Sequence, residues 1–511
     1  MTPILFQARD SDSCPGFIAA LARSIAEVPV PETHPLDDFD GGVIDATAAI
    51  VNYVNENQHV TFPHAVYGVA GLSLSTSNRT MIGGAVFKPL DGVDNAAMTI
   101  TGDCNTIIGL QFDGAVGRPL VTGNRRGLVV NGDHNLVVGC RAFDGTGATN
   151  SAAYGYRNNG DFNVFDSCKA EGAWYQGGNN KGTSGRKMAT WKNFYAKDFV
   201  ARGIDHDGDT DLLKLENCYC VTNSTDSSAL PFGLSSGDTA TIFNAHLLNC
   251  WGEQTAGAGW LDVQAIIKYG QVNGTLICEG CTFIRNQLTG PVNNCVFLES
   301  GIDEAVFKNC RLEGRIAATT LNNRFEMTGC TLGDPTGNVT LDLINNLSCP
   351  ETIIKNNKFK GFRRAVLNVK TPDANLRSFT MVHNDAAGDS TGFSDEVFLV
   401  RETSGAGGGV FVSPRKFRVG DNVITDSNPS TTGTRPCFDG DGRICMGDGD
   451  TPGYKSWGTD PSTSGSGAAI QFTLGDIYIH DDAASGEDIG WYCTSSGIGV
   501  AATFKSMGTL A

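Results

Sequence analysis

GLVVNGD (residues 127–133), GYRNNGD (155–161), GIDHDGD (203–209) and the shorter GLSSGD (233–238) share one punctuation. Each opens on glycine and closes on Gly-Asp. Each is followed by an alternating apolar run and then a cysteine: Cys140, Cys168, Cys218 and Cys250. A strand, a Gly-Asp turn, a second strand and a small buried residue, repeated every few tens of residues, describe the coil of a solenoid. Solenoids stack equivalent positions in columns, so residues distant in sequence share one surface. The turns recur with equivalent residues and not as hairpin pairs, which favours parallel coiling over a sandwich. The predicted class is all-β: a right-handed, single-stranded parallel β-helix.

The cysteines extend the pattern. Of sixteen, many follow Asn, Gly or Ser at the end of an apolar strand, as in GCRAF, SCKAE, NCYC, NCWG, GCTF and NCRL. At Asn357 (NNKF) an asparagine takes the same slot. A free thiol is small and apolar and packs well as a stacked interior residue. Reduced core cysteines are therefore expected, in keeping with assembly in a reducing cytoplasm. Cys278 and Cys281 form a lone CxxC without a second pair at zinc-finger spacing, and the ladder already accounts for Cys281. Beyond Cys281 the intervals to Cys295 and then Cys310 are only 14 and 15 residues. Either these cysteines mark different faces of one coil, or the register changes there.

The chain has 511 residues, 40% of them apolar, 64 glycines and a net charge of −17. This charge argues against nucleic acid and anionic membranes as partners. No run approaches the ~18 apolar residues of a membrane helix, and MTPILFQARDSDSCPG has no basic n-region or clean hydrophobic core of a secretion signal.

Three domains are expected: a leader at 1–34, a β-helix at 35–426 and small β-rich modules at 427–511. The leader ends in the extended VPVPETHP. DATAAIVNYVNENQ reads as a helix of about three turns, HVTFP as a strand, and strand-and-turn patterning then runs from Leu72 to about Val423. SNPSTTGTRP is a linker. The last segment reads as a compact all-β unit with Trp491 and Phe504 in its core.

GGVIDATAAI (41–50), VTFP (60–63), Tyr67, GLSL (71–74) and TMIGG (80–84) resemble the opening of the pectate-lyase-like β-helix superfamily, with a degenerate acidic entry. GDGDTPGYKSWGTD (447–460) and LGDIYIHDDAASGEDIGWYC (474–493) resemble a short module that follows such β-helices in bacteriophage tail proteins. The first resemblance implies fold only, since the superfamily holds lyases, hydrolases and non-enzymes. The second implies a tail spike or fibre of the virion, a parallel homotrimer, with the N-terminal leader docking to a baseplate or tail adaptor.

Alignment on the Gly-Asp turns places Leu128, Tyr156, Ile204 and Leu234 in an inward column. Val129, Arg157, Asp205 and Ser235 then form the next, outward column. Asp205 and Asp207 share the outer face with Cβ atoms ~6.5–7 Å apart, a spacing compatible with the ~6.5–9.5 Å carboxyl separation of an inverting glycosidase. They are the candidate catalytic pair. Arg157, on the neighbouring coil in this alignment, is placed to hold Asp205 ionised or to bind an acidic sugar. Trp174, Tyr175, Trp191 and Tyr195 cluster in insertions beside this face and are the candidate saccharide-stacking residues; a trimer interface is their other reading. His206 alternates inward and reads as structural. Asp103, Asp133, Asp161, Asp209 and Asp238 sit in Gly-Asp turns, where aspartate serves the backbone. Glu171, Asp198, Glu253 and Asp262 are further carboxylates available to a site. DHDGDTD lacks the distal ligand of an EF-hand, and there is no phosphate loop, zinc set or Ser/His/Asp pattern, so no metal or cofactor is expected.

Three functions fit. The first is a tail spike that binds and cleaves a bacterial surface polysaccharide, more in the manner of a glycoside hydrolase than a lyase. The second is a spike or fibre that recognises such a receptor without cleaving it. The third is a trimeric shaft whose receptor contacts lie in the C-terminal modules.

Overall fold

The computed structural model describes residues 34–92, 96–114, 126–146, 153–181, 188–224, 229–235, 242–255, 267–270, 273–285, 294–318, 320–333, 340–369, 378–388, 398–402, 417–420, 423–425 and short segments between 471 and 509. The leader before His34, the linker SNPSTTGTRP and Asp238 lie outside them. The chain divides into two compact units, Met1–Phe325 and Glu326–Ala511.

The first unit is a parallel β-helix. Each coil gives one strand to each of three faces, and each strand pairs in parallel with its equivalents one coil before and after. On the first face the run includes Leu136–Val138, Asn163–Asp166, Met188–Lys192, Thr210–Glu216 and Phe243–Leu248. The second face runs through Arg141–Thr146, Lys169–Ala173, Tyr195–Lys197, Tyr219–Thr222 and Trp251–Gln254. The third runs through Arg126–Val130, Tyr154–Asn158, Gln176–Lys181, Arg202–Asp207 and Leu230–Ser235. The helix Thr47–Glu56 precedes the first coil and buries Ile50 and Val54; the HVTF strand follows at His59–Phe62.

The bend between the first two faces explains the residues that precede each cysteine. Ser167, Asn193, Asn217, Asn249 and Asn309 have φ of 50–57° there. Asparagine and glycine tolerate this left-handed conformation. Each such N–H then faces along the stack: Asn193 donates to Glu216 O at 2.8 Å and Asn217 to Leu248 O at 2.8 Å. The next residue turns inward. Cys140, Cys168, Phe194, Cys218, Cys250, Cys281 and Cys310 stack in one buried column. Cys295 sits instead on the third face, in Asn294–Leu298, so the short intervals after Cys281 mark two faces and the register continues. The ladder thiols are free and buried, and desolvation raises the pKa of Cys168 and Cys250 well above the ordinary thiol value. Cys104, in the Gly-Asp turn at 102–103, departs from the reduced pattern and is disulfide-bonded.

Three residues before each ladder position lies a second inward column: Val137, Phe165, Trp191, Leu215, Leu247, Cys278 and Phe307. The lone CxxC is thus two adjacent ladder columns. Aromatic rings join these columns inside the coil. Phe165 stacks on Trp191 at 4.3 Å and 10°, and Tyr156 meets Phe194 edge-on at 5.7 Å. In the Gly-Asp turns the carboxylates of Asp103 and Asp133 serve the backbone, as expected. Asp103 Oδ1 accepts from Asp133 N at 2.8 Å, and Asp133 Oδ1 from Asp161 N at 2.7 Å.

The second unit holds further parallel pairings. Glu351–Lys355 pairs with Ser378–Val382, and the long strand Lys358–Val369 pairs with both Asp385–Gly388 and Phe398–Glu402. Asn357 occupies the cysteine slot between Cys330 and Asn384, and its Oδ1 accepts from Cys330 N at 2.8 Å. Near the end of the chain Gly490–Ser495 pairs antiparallel with Ile477–Ile479 and Thr503–Ser506. Trp491 lies on the first of these three strands and Phe504 on the last.

Candidate functional site

The third face positions the candidate acids, and its register corrects the alignment of the four motifs. Gly127 and Gly155 are equivalent, but the next coil is Gln176–Lys181, a strand without the Gly-Asp closure. Arg157 pairs with Asn179, and Asn179 pairs with Asp205. Arg157 and Asp205 are therefore two coils apart, ~10 Å along the stack, and not neighbours. The fourth motif is shifted by two residues: Gly233 pairs with Asp205, Phe232 with Ile204 and Leu234 with His206. Leu234 and Ser235 leave the columns first assigned to them.

The glycines that open the strands are needed because the third face runs against side chains of the second. A Cβ at Gly155 would lie 2.7 Å from Gly177 O and 3.0 Å from Ala170 Cβ; one at Gly203 would lie 2.7 Å from Cys220 Cβ. Directly after the glycine the strand alternates, with Ile204 and His206 in the interior and Asp205 between them.

Asp205 is only 7% exposed. Its Oδ1 pairs with Arg202 Nε at 3.0 Å. Its Oδ2 accepts from Gln176 Nε2 at 2.7 Å and from Asn179 Nδ2 at 3.4 Å. Burial pushes its pKa up to about 6, with the Asp207 charge in the same direction, against the lowering effects of Arg202 and the two amides. Gly233 leaves room for the ion pair: a Cβ there would lie 2.2 Å from Arg202 Cδ and 2.8 Å from Asp205 Oδ1. Asp207, two residues on, is exposed. A buried carboxyl that gains its proton near pH 6 can serve as a general acid. Its two oxygens are already engaged by three donors.

His206 points inward and closes a line of buried amides. Asn163 Nδ2 donates to Asn158 Oδ1 at 2.7 Å, Asn158 Nδ2 to Asn180 Oδ1 at 2.7 Å, and Asn180 Nδ2 to His206 Nδ1 at 2.9 Å. His206 Nε2–H donates to Gly208 O at 2.8 Å. That carbonyl only accepts, so the ring is the neutral Nε2–H tautomer. Burial pushes its pKa down to about 4, and the ring stacks on Phe243 at 4.0 Å. Its role is structural.

Beside Arg157 the same face opens into a cleft of about 530 Å³, lined by Gly71, Ser73, Ala96, Thr99, Arg126, Val129, Asn131, Arg157 and Asn159. Ser73, Thr99, Val129 and Arg157 are successive members of one column. The volume lies within the usual range of small-molecule sites. Polar side chains on its lining interlock, with Asn159 Nδ2 donating to Asn131 Oδ1 at 2.7 Å.

Two of the four candidate stacking residues are elsewhere. Trp191 is an inward member of the first face, and Trp174 is packed on Gly145, where a Cβ would come within 2.5 Å of the indole; both are fully buried. Neither has a face to offer a sugar. Tyr175 is half-buried, and its carbonyl accepts from Ala201 N and Arg202 N. Tyr195 lies on the outer side of the second face in a ladder that sequence reasoning missed. It stacks on Tyr219 at 5.4 Å and 7°, and Tyr219 on Trp251 at 5.9 Å and 25°. All three are partly exposed. The signal was present: each occupies the slot immediately after a ladder residue.

No protein-family model matches the sequence, and no curated protein matches it. Among solved structures, the crystal structure of bacteriophage CBA120 tailspike protein 3 is similar to this chain, with a TM-score of 0.44 and 10% identity over 93% of this chain and 68% of that one.

Proposed function

We propose that this chain is a bacteriophage tail spike that recognises a bacterial surface polysaccharide. The Gly-Asp-Ile and Gly-Trp-x-Cys motifs of residues 474–493, following a parallel β-helix, support the tail assignment. The observation that carries recognition is the cleft around Arg157. It is open and walled by hydroxyl, amide and guanidinium groups, the mixture of donors and acceptors that sugar hydroxyls require. The partly exposed Tyr195–Tyr219–Trp251 ladder supplies flat rings on the neighbouring face. Binding of the purified full-length protein to host surface polysaccharide, measured by calorimetry, tests the reading. Tight binding weakened by Asn131→Ala supports it, and no binding to polysaccharide or to whole host cells removes it.

A second reading is depolymerisation, favoured by Asp205, whose burial pushes its pKa up to about 6, beside exposed Asp207. In that reading Asp205 is the proton donor and Asp207 activates water. Substrate would have to displace Gln176 or Asn179 to reach Asp205. New reducing ends that vanish in Asp207→Asn would support hydrolysis, and new ultraviolet absorbance from an unsaturated sugar would point to a lyase. The same assignment includes a parallel homotrimer in the virion tail, assembly in the host cytoplasm and attachment to a baseplate or adaptor through residues 1–34. Threefold association would bury one long face of the coil stack.

A further inference from the structure

One wall of the cleft is doubly cationic. Arg126 and Arg157 come from adjacent coils and flank Tyr154, with guanidinium carbons 5.8 and 5.1 Å from its ring centroid. Arg157 Nε donates to Asn159 Oδ1 at 2.9 Å. Arg126 Nε is buried with no acceptor. Among the described residues no carboxylate forms an ion pair with either arginine. Elsewhere in the coil stack the chain does pair its arginines, Arg141 with Glu171 at 2.7 Å and Arg202 with Asp205 at 3.0 Å. Burial first, and then the charge of Arg157, push the pKa of Arg126 below its ordinary value. Two neighbouring cations on the wall of a cleft repel each other, and an anion between them would relieve that repulsion.

We infer that the cleft is a subsite for an acidic sugar residue, whose oxyanion is held by Arg126 and Arg157 while Ser73, Thr99, Asn131 and Asn159 meet its hydroxyls. The planar guanidinium fork matches the two oxygens of a carboxylate or of a phosphate ester. Tyr154 holds both forks from one side through its ring face. The inference rests on the glycan-recognition reading and narrows it: the polysaccharide bears anionic residues, either uronic acids or phosphorylated sugars.

Saturation-transfer NMR on the full chain tests it with three probes: methyl glucuronoside, glucose 6-phosphate and neutral methyl glucoside. At least one anionic probe is expected to bind about tenfold more tightly than the neutral one, as removal of a charge-assisted contact implies. Arg157→Gln and Arg126→Gln should each abolish that preference. Arg157→Lys, which keeps charge without the fork, should retain part of it. Arg141→Gln, on the second face, should leave it unchanged. Which anion is preferred separates a carboxylate site from a phosphate site. Equal binding of all three probes, no binding of any, or an anion preference that survives both glutamine variants would overturn the inference. If neutral host polysaccharide binds and neither arginine variant matters, the subsite fails while glycan recognition stands. If the anionic probes bind at Arg157 but host polysaccharide does not, the subsite stands and glycan recognition fails.

Discussion

Asp205 and His206 are adjacent, both buried, and displaced in opposite directions. The carboxyl moves from an ordinary 3.8 to about 6, and the imidazole from 6.5 to about 4. Between pH 4 and 6 the folded chain keeps a proton on Asp205 that the unfolded chain has released. Stability from this group is therefore full below its unfolded pKa and is lost as pH rises through its folded value. For His206 the unfolded chain binds a proton that the folded ring refuses. Its contribution is full above the unfolded pKa and is lost as pH falls through the folded one. Each displacement corresponds to about 3 kcal/mol at 1.36 kcal/mol per pKa unit. In the wild type the two slopes oppose and nearly cancel across this window. Asp205→Asn should unmask histidine, so that its stability relative to wild type improves by about 3 kcal/mol on going from pH 4 to 7. His206→Gln should do the reverse, losing about 3 kcal/mol relative to wild type over the same rise. Guanidinium denaturation followed by fluorescence of the buried Trp174 and Trp191 reads both differences. Subtraction from wild type removes every other titrating group. Parallel stability profiles for wild type and both variants would refute the reasoning, because they would mean that neither group is desolvated in the fold.

Other expectations follow from the same geometry. Gly233→Ala places a methyl where Arg202 and Asp205 meet and should cost about 1–3 kcal/mol, visible in the denaturation midpoint; an unchanged midpoint would show that the pair has room to shift. Asn309→Ala should cost about 1 kcal/mol because it must hold φ of 52°, whereas Asn309→Gly should be close to neutral. Trp191→Ala should lose about 3–5 kcal/mol through the cavity left beside Phe165 and leave glycan affinity intact in whatever protein still folds. Tyr219→Ala should behave oppositely, with little loss of stability and weakened polysaccharide binding if its ladder is a sugar platform.

Much of this architecture was legible in local residue choice. A left-handed bend followed by an inward small residue leaves the signature Asn/Gly/Ser-Cys, and that signature located the ladder, including Asn357 as a substitute. The coil holding Gln176–Lys181 was missed because QGGNNK carries no Gly-Asp closure. Its two glycines answer to clearance from Ala196 and Trp191, which depend on neighbouring coils and leave no local mark. That omission made Arg157 a false neighbour of Asp205. The position of Trp191 was readable: it stands three residues before the ladder slot, in phase with Val137 and Phe165. Its large ring drew it toward a sugar-binding reading, although the column demands burial. The burial of Asp205 was not readable, since its cover comes from Arg202, Gln176 and Asn179 on two strands. Arg126 falls just before the GLVVNGD motif, and only the stacking of its coil on Tyr154 brings it to the same cleft as Arg157.

Disulfide trapping on the third face tests the coil order most directly. Lys181 and Asp207 are partners on adjacent coils, within the ~4.4–6.8 Å Cα separation that a disulfide spans, whereas Asn159 and Asp207 are two coils apart. Lys181→Cys combined with Asp207→Cys is predicted to cross-link under mild oxidation, and Asn159→Cys combined with Asp207→Cys to remain reduced. Cross-linking of the second pair and not the first would remove the intervening coil, return Arg157 to the side of Asp205, and contradict the site described above.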